Sequence, residues 1–313
     1  MTNRSFANLS VAVGRAAAHT RGMTNPQLLS LPDGRVLEAW DSGPTNGPVL
    51  VFHHGSPSSG IAYDSMRGAL VRHGIREIAF SRPGYGDSTR LPGHSVAAIA
   101  ADMAAVLDAK GIDRVYVAGW SGGGPHALAC AALLGDRVIA TAIIAGVAPY
   151  VAEGLDWSAG MGAENIEEFG AAAESPEALT GFMERAWPIY REVSGAEVAG
   201  AFGDLVDDVD RGSLTSVFAE DVARSFRDGL RNGYGGWFDD DLAFVKPWGF
   251  DVGAINGRVH IWQGEHDRMV PFAHGQWLAA HIPGAVSHLY PEHGHLSLVV
   301  DSFDRILGEL LAP

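Results

Sequence analysis

Two kinds of hydrophobic pattern alternate along the chain. Short runs of consecutive apolar or β-branched residues, typical of buried strands, are separated by longer segments whose apolar residues recur at helical spacing. The strand-like runs cover residues 35–39, 49–53, 78–80, 114–118, 138–147, 258–263 and 286–290. The helix-like segments cover residues 58–73, 96–109, 124–134, 272–281 and 296–311. Strands that alternate with helices form βαβ units, so the pattern predicts an α/β fold with a mainly parallel central sheet flanked by helices.

The alternation stops between residues 150 and 241. That segment contains no strand-like run, and its apolar residues follow helical spacing, for example over 176–193 and 213–230. We therefore expect a helical cap domain over 150–241. It would be inserted into a core formed by residues 27–149 and 242–313.

The first 26 residues are expected to form a loosely ordered arm. Arg15 interrupts the apolar stretch that a secretory signal would need. No apolar run in the sequence reaches the length that spans a bilayer. These features predict a cytoplasmic protein without a membrane partner.

The charge of the chain is strongly acidic and unevenly placed. The formal net charge is −15, and residues 150–241 contain twenty Asp and Glu against six Arg. Nucleic acids bind basic surfaces, so they are not expected partners. The clusters Glu220-Asp221 and Asp239-Asp240-Asp241 are interpreted as a solvated face or as helix-start carboxylates, because no His or Cys joins them at ligand spacing. The lone cysteine, Cys130, is interpreted as a small core residue.

A glycine-rich turn carries the strongest candidate for chemistry. Residues 119–123 read Gly-Trp-Ser-Gly-Gly, a Gly-x-Ser-x-Gly pattern between a strand-like run and a helix-like segment. In that context the glycines permit a sharp turn, and the serine stands at its tip above a helix N-terminus. Ser121 is therefore predicted to be a nucleophile rather than an incidental turn residue.

A serine nucleophile needs a base within hydrogen-bond reach, and the base needs an orienting carboxylate. Groups that follow the carboxyl ends of parallel strands meet at one edge of the sheet. Asp267 follows the run 258–263 and His295 follows the run 286–290, which gives the order Ser, Asp, His. Glu265 is a rival acid and His293 a rival base. His295 is preferred because a glycine precedes it and a helix follows it.

Acyl transfer also needs donors for the oxyanion of the tetrahedral intermediate, and two backbone N–H groups normally supply them. Gly122 follows the nucleophile directly and is the first expected donor. The second is the N–H of Ser56, in the turn His54-Gly55-Ser56-Pro57 after the run 49–53.

Five short segments together resemble enzymes of the α/β-hydrolase fold that carry a helical cap. They are His54-Gly55-Ser56-Pro57, the Ser-Arg-Pro-Gly-Tyr-Gly-Asp-Ser loop at 81–88, the turn 119–123, Gly264-Glu265-His266-Asp267 and Gly294-His295. The resemblance covers about residues 30–310. It implies a catalytic triad of Ser121, Asp267 and His295, with Ser56 and Gly122 as the oxyanion hole. It implies no metal and no organic cofactor.

Different branches of that family use different nucleophiles, which limits the reactions that the motifs allow. Epoxide hydrolases and haloalkane dehalogenases of this fold use an aspartate nucleophile, which Ser121 disfavours. Meta-cleavage-product hydrolases, enol-lactonases, general esterases and cofactor-free perhydrolases all remain compatible with the motifs. The prediction is a serine hydrolase that cleaves a small carboxylic ester or lactone through an acyl-enzyme on Ser121.

Two alternatives stay open. One is an amide or peptide hydrolase of the proline-iminopeptidase-like type, because an acidic cap favours a free substrate amine. The other is a non-catalytic receptor for a small molecule on the same fold. In each case the expected partner is a small molecule, and the sequence does not fix the oligomeric state.

Overall fold

The computed structural model describes residues 25–313, so the arm expected over residues 1–26 lies almost wholly outside the described part. Eight strands form one sheet in the order β1-β2-β4-β3-β5-β6-β7-β8. The strands are β1 (Gln27–Ser30), β2 (Val36–Ser42), β3 (Val49–His53), β4 (Arg76–Phe80), β5 (Val115–Trp120), β6 (Val138–Ile144), β7 (Arg258–Gly264) and β8 (Val286–Tyr290). β2 pairs antiparallel with β1 and β4, and the other neighbours are parallel. The predicted α/β fold with a mainly parallel sheet is confirmed.

Eleven α-helices are found in the described residues. They are α1 (Asp64–Arg72), α2 (Ala98–Ala109), α3 (Gly123–Leu133), α4 (Ala163–Glu174), α5 (Pro176–Tyr190), α6 (Val198–Ala201), α7 (Asp208–Ser213), α8 (Ser216–Gly229), α9 (Gly235–Phe244), α10 (Phe272–His281) and α11 (His295–Leu311). None of those in residues 25–313 combines the length and the apolar character that a bilayer crossing requires.

The sheet is buried on both faces by two hydrophobic cores. Successive residues of a strand point to opposite faces. Leu50 and Phe52 of β3 therefore join the core that contains residues of α1 and α11, whereas Val51 joins the core that contains residues of α2 and α3. Burial on both faces explains why the central strands read as nearly continuous apolar runs. Cys130 of α3 is fully buried, as predicted.

Helices α4 to α9 form an inserted helical segment between β6 and β7. Within it, α4 packs on α5, and both contact α9. The segment meets the rest of the fold where α8 contacts α1 and where α7 contacts α11. Its residues share a pocket wall with Ser121, which follows β5, and with His295, which follows β8. The segment therefore lies over the edge at which the parallel strands end. The division of the chain at 149/150 and 241/242 stays a prediction.

The strand expected over 138–147 ends at Ile144, and two other elements differ more from the sequence pattern. The short edge strand β1 was not predicted, because three of its four residues are exposed and show no apolar run. The helix expected from residue 58 begins only at Asp64. Its first N–H groups, those of Asp64 and Ser65, donate to the carboxylate of Asp221, which is 3.1 and 2.8 Å away. Because Asp221 is more than 150 positions away in the chain, the sequence near residue 64 does not indicate where the helix begins.

The interpretation of the acidic clusters as a solvated face is wrong for most of their members. Asp221 and all three of Asp239, Asp240 and Asp241 are buried, with at most 3% of their surface exposed. Only Glu220 is exposed, in an ion pair with Arg227. Burial of a carboxylate is costly without a partner, so the surroundings of these aspartates in the interior bear on their role.

Candidate active site

Ser121 stands at the turn between β5 and α3. Its φ is +55°, in the left-handed region that non-glycine residues rarely adopt. The turn is so tight that a Cβ at Gly119 would lie 2.3 Å from the carbonyl oxygen of Gly123. The backbone N–H of Ser121 donates to the carbonyl of Ile144 at 2.9 Å, which fixes the turn to β6. The side chain of Ser121 lines a pocket under the inserted helical segment.

Asp267 and His295 meet at the end of the sheet beside this pocket. His295 Nδ1 donates to Asp267 Oδ2 at 2.8 Å, and both side chains are buried. The other oxygen of Asp267 accepts from the N–H groups of Met269 and Val270 at 2.9 and 2.7 Å. Because the carboxylate holds Nδ1–H, the Nε2 atom of His295 is the ring nitrogen left to act on a substrate.

The two rivals of these residues lie elsewhere. The side chain of Glu265 is exposed, and its backbone N–H pairs with the carbonyl of Tyr290. His293 faces Asp301 at 3.7 Å and does not line the pocket. The structure thus brings Asp267 and His295 together and leaves Glu265 and His293 outside.

The environment of His295 favours its charged form. Burial alone lowers the pKa of the imidazole, but the charge and the hydrogen bond of Asp267, helped by Asp210, outweigh burial and raise it above its ordinary value. Burial raises the pKa of Asp267, although His295 opposes the effect. The imidazolium that forms when His295 accepts a proton is therefore stabilised in place.

Two unpaired backbone N–H groups adjoin Ser121. A Cβ built on Gly122 would lie 3.2 Å from the backbone nitrogen of Ser56, so the two predicted donors are neighbours. In the described part of the chain, neither of these N–H groups donates to another protein group. Both residues line the pocket. Free donors at this place suit an oxyanion.

A buried ion pair holds the Ser56 turn in position. Arg82 Nη2 donates to Gly55 O at 3.0 Å and to Ser56 Oγ at 2.8 Å. Arg82 also bonds Asp240 Oδ2 through Nε and Nη2, at 3.0 and 2.7 Å. Asp240 Oδ2 accepts from Ser56 Oγ at 2.9 Å as well. Burial raises the pKa of Asp240, but the guanidinium of Arg82 outweighs it and holds the pKa well below the ordinary range. The charged pair therefore links α9 to the Ser56 turn.

Asp210 of α7 caps the helix that begins with His295. Its carboxylate accepts from the N–H groups of His295, Leu296 and Ser297 at 2.8, 3.0 and 2.9 Å. A Cβ at Gly294 would lie 2.5 Å from Asp210 Oδ1, so the glycine before His295 makes room for this cap. Sequence reasoning missed Asp210, Arg82 and Asp240 as parts of the site. The one local signal was that the three aspartates of α9 interrupt an otherwise apolar helix.

The pocket is a cavity of about 90 Å³ between the sheet edge and the inserted segment. Most of its wall is apolar, with the rings of Trp120, Phe169, Tyr190, Phe226 and Trp237 among the lining residues. The ring of His295 stacks on Trp120, with centroids 5.6 Å apart. Three acidic side chains, Glu164, Glu168 and Asp241, also line it. The wall is suited to a small, partly apolar organic molecule.

A possible set of metal ligands lies apart from this pocket. One ligand atom each from His260 of β7, His288 of β8 and Glu309 of α11 lies within 4.8 Å of the others. None of the three lines the pocket with Ser121. The residues around Ser121 and His295 make no use of this cluster. The expectation of a metal-free reaction stays a prediction.

Comparison with known proteins supports the fold and the broad class. A model described as the alpha/beta hydrolase family matches residues 50–307. The chain is 35% identical over 121 residues to a bifunctional esterase/perhydrolase DCH of Acinetobacter calcoaceticus, a match over 38% of this chain and 44% of that relative. It is 28% identical over 273 residues to a non-heme haloperoxidase of Rhodococcus erythropolis, over 85% of this chain and 92% of that relative. The chain thus spans less than half of the first relative and nearly all of the second.

A solved structure, the enol-lactonase from Burkholderia xenovorans LB400, is similar to this chain with a TM-score of 0.66. The sequences are 20% identical, and the match covers 91% of this chain and 99% of that chain. At such low identity the likeness shows the fold alone. The predicted fold class is confirmed: an α/β-hydrolase sheet of eight strands with an inserted helical segment.

Proposed function

Because the chain belongs to the alpha/beta hydrolase family, we propose that it is a serine hydrolase that cleaves a small carboxylic ester or lactone. The observation that carries the proposal is the 2.8 Å hydrogen bond between His295 and Asp267 at the pocket that Ser121 also lines. A buried imidazole oriented by a carboxylate is the arrangement that activates a serine.

In the first half of the reaction, Ser121 Oγ attacks the carbonyl carbon while His295 Nε2 accepts the hydroxyl proton. The negative charge that develops on the carbonyl oxygen is stabilised by the N–H groups of Ser56 and Gly122. The carbon–oxygen bond to the alcohol then breaks, and His295 passes its proton to the leaving oxygen. The acyl group remains on Ser121.

In the second half, a water molecule attacks the acyl carbon as His295 accepts one of its protons. The bond to Ser121 breaks, and the proton returns to the serine oxygen. Asp267 stays ionised and holds the imidazolium in both halves. For a lactone, the leaving alcohol remains attached to the released acid.

Names among the similar proteins agree with this class without fixing a substrate. One relative is an esterase/perhydrolase and one structural neighbour is an enol-lactonase. The apolar wall of the pocket favours a short or medium apolar group next to the carbonyl. The expected partner is a small molecule, and a cytoplasmic location remains the expectation from the sequence.

The test is hydrolysis of ethyl esters from acetate to octanoate, of γ- and δ-lactones, and of matched amides. Ser121→Ala should lower kcat/KM by about 10⁴-fold or more, because a triad works as a unit. The matched control is Ser287→Ala, on an exposed serine of β8, which should keep the wild-type rate. Wild-type rates in Ser121→Ala would contradict the proposal. Faster cleavage of amides than of esters would favour the amide-hydrolase alternative, and tight binding without turnover would favour the receptor.

A further inference from the structure

The wall of the pocket that contains Ser121 and His295 has more acidic side chains than ester hydrolysis requires. Glu164, Glu168 and Asp241 line it, and no lysine or arginine of the described residues does. Anionic groups around an ester carbonyl do not assist attack by a nucleophile. Their presence in the wall therefore calls for a separate chemical reason.

Asp241 and Glu168 form a buried carboxyl pair. Asp241 is fully buried, and 7% of Glu168 is exposed. Trp237 Nε1 donates to Glu168 Oε1 at 2.5 Å. Neither oxygen of Asp241 accepts a hydrogen bond from an N–H or hydroxyl group anywhere in residues 25–313. Its carboxyl group instead faces that of Glu168. A buried carboxyl group that no N–H or hydroxyl group stabilises is costly to stability.

Within residues 25–313, no cationic side chain acts on the pair. Burial raises the pKa of Glu168 to about 7 and raises that of Asp241 well above its ordinary value. Glu164 and Asp240 add negative charge beside the pair. Arg82, the nearby cation, is bonded to Asp240 instead. A positively charged ligand would supply the counter-charge that residues 25–313 do not place beside the pair.

Aromatic rings surround the same part of the pocket. Tyr190 and Trp237 meet edge to face with centroids 5.6 Å apart, and Tyr190 meets Phe226 in the same way at 5.4 Å. The hydroxyl of Tyr190 donates to Glu164 Oε1 at 2.6 Å. Carboxylates together with aromatic rings are the groups with which proteins bind organic ammonium ions.

We propose that Glu168 and Asp241, with Trp237 and Tyr190 around them, form a subsite for a protonated amine. The substrate class is an ester, lactone or amide that carries a primary or secondary ammonium group. This assignment rests on the proposed function for its reaction, whereas the binding of the ammonium group does not. The competing explanation is a purely structural pair of carboxyl groups that share a proton.

The first arm measures binding without turnover. Ser121→Ala is titrated calorimetrically at pH 8 with n-butylammonium and with 1-butanol, which has the same chain and no charge. We expect butylammonium to bind at least about tenfold more tightly, as one buried charge contact gives. Adding Glu168→Gln and Asp241→Asn should remove that difference. Equal or tighter binding of butanol to Ser121→Ala overturns the assignment, whether or not the triple variant folds.

The second arm measures selectivity with the active protein. The substrates are ethyl esters of alanine, β-alanine and 6-aminohexanoic acid, paired with isobutyrate, butyrate and heptanoate, in which a methyl group replaces the ammonium. We expect at least one amine to exceed its methyl partner about tenfold in kcat/KM, and the Glu168→Gln/Asp241→Asn variant to lose that ratio. Glu167→Gln, on the exposed neighbour that pairs with Arg185, should keep it.

The two arms separate the two proposals. If butylammonium binds selectively but no ester is cleaved, the hydrolase proposal fails and the ammonium subsite stands. If esters are cleaved and no amine exceeds its methyl partner in kcat/KM, the subsite fails and the hydrolase proposal stands.

Discussion

The carboxylate of Asp210 accepts a 2.8 Å hydrogen bond from the backbone N–H of His295. Asp210 belongs to the inserted helical segment, and His295 is the first residue of the last helix. The same carboxylate also bonds the next two N–H groups of that helix. The inserted segment therefore does more than cover the pocket, because it fixes the backbone that carries the proposed base.

Replacing Asp210 tests this positioning role. In Asp210→Asn one acceptor becomes a donor, so the free energy of unfolding should fall by about 1–3 kcal/mol in urea titrations. Since the charge of Asp210 raises the pKa of His295, the pH–rate profile should also move to lower pH. Asp208→Asn, on an exposed neighbour in the same helix, is the control. A loss of stability with an unmoved profile would reduce Asp210 to a structural cap.

Asp267→Asn should lower kcat/KM for ethyl butyrate by about 10⁴-fold, the cost of holding a histidine in the wrong tautomer. The amide can still accept from Met269 and Val270, so the loop should keep its shape and the protein its fold. Circular dichroism and the melting temperature would verify that. Glu265→Gln is the matched control on the exposed rival acid. Comparable losses in both variants would contradict the assignment of Asp267.

The pH dependence of hydrolysis should follow His295. A general base must be neutral, and the pKa of His295 is raised above 6.5. The kcat/KM for an uncharged ester should therefore be low at acidic pH and rise through an apparent pKa above 6.5. Glu168, with a pKa of about 7, titrates in the same range, so the profile is repeated with Glu168→Gln. The step should persist there, and its disappearance would assign it to Glu168 instead.

The ion pair of Arg82 and Asp240 should be important for stability. Asp240→Asn leaves a fully buried guanidinium without its counter-charge, which costs about 3–5 kcal/mol in such pairs. Urea unfolding measures the loss. Arg185→Gln breaks the exposed pair with Glu167 and should change stability by less than about 1 kcal/mol. If the two variants lose similar stability, the buried pair does not anchor the Ser56 turn.

Residues that sit in local patterns were accessible from the sequence. Ser121 lies in a five-residue turn, and Asp267 and His295 each follow a strand-like run. The carboxyl ends of parallel strands meet at one edge of the sheet, so residues far apart in the chain could be predicted to lie close together there. The parallel sheet and most strand positions were predictable for the same reason.

The contacts that support the site were not accessible. Asp240 and Arg82 are 158 positions apart, and Asp210 and His295 are 85 apart. Each pair joins the inserted segment to the core. The hydrophobic periodicity of a helix does not indicate which core residue its side chains will contact. Asp239, Asp240 and Asp241 were misread for this reason, since charge alone suggested solvent.

The most direct test of the central claim is labelling with a fluorophosphonate, read by intact mass, on the wild type, Ser121→Ala and Ser287→Ala. An activated serine attacks phosphorus, so the wild type and Ser287→Ala should each gain one adduct, and Ser121→Ala should gain none. An unlabelled, well-folded wild type would contradict the account, as would an adduct of equal yield in Ser121→Ala.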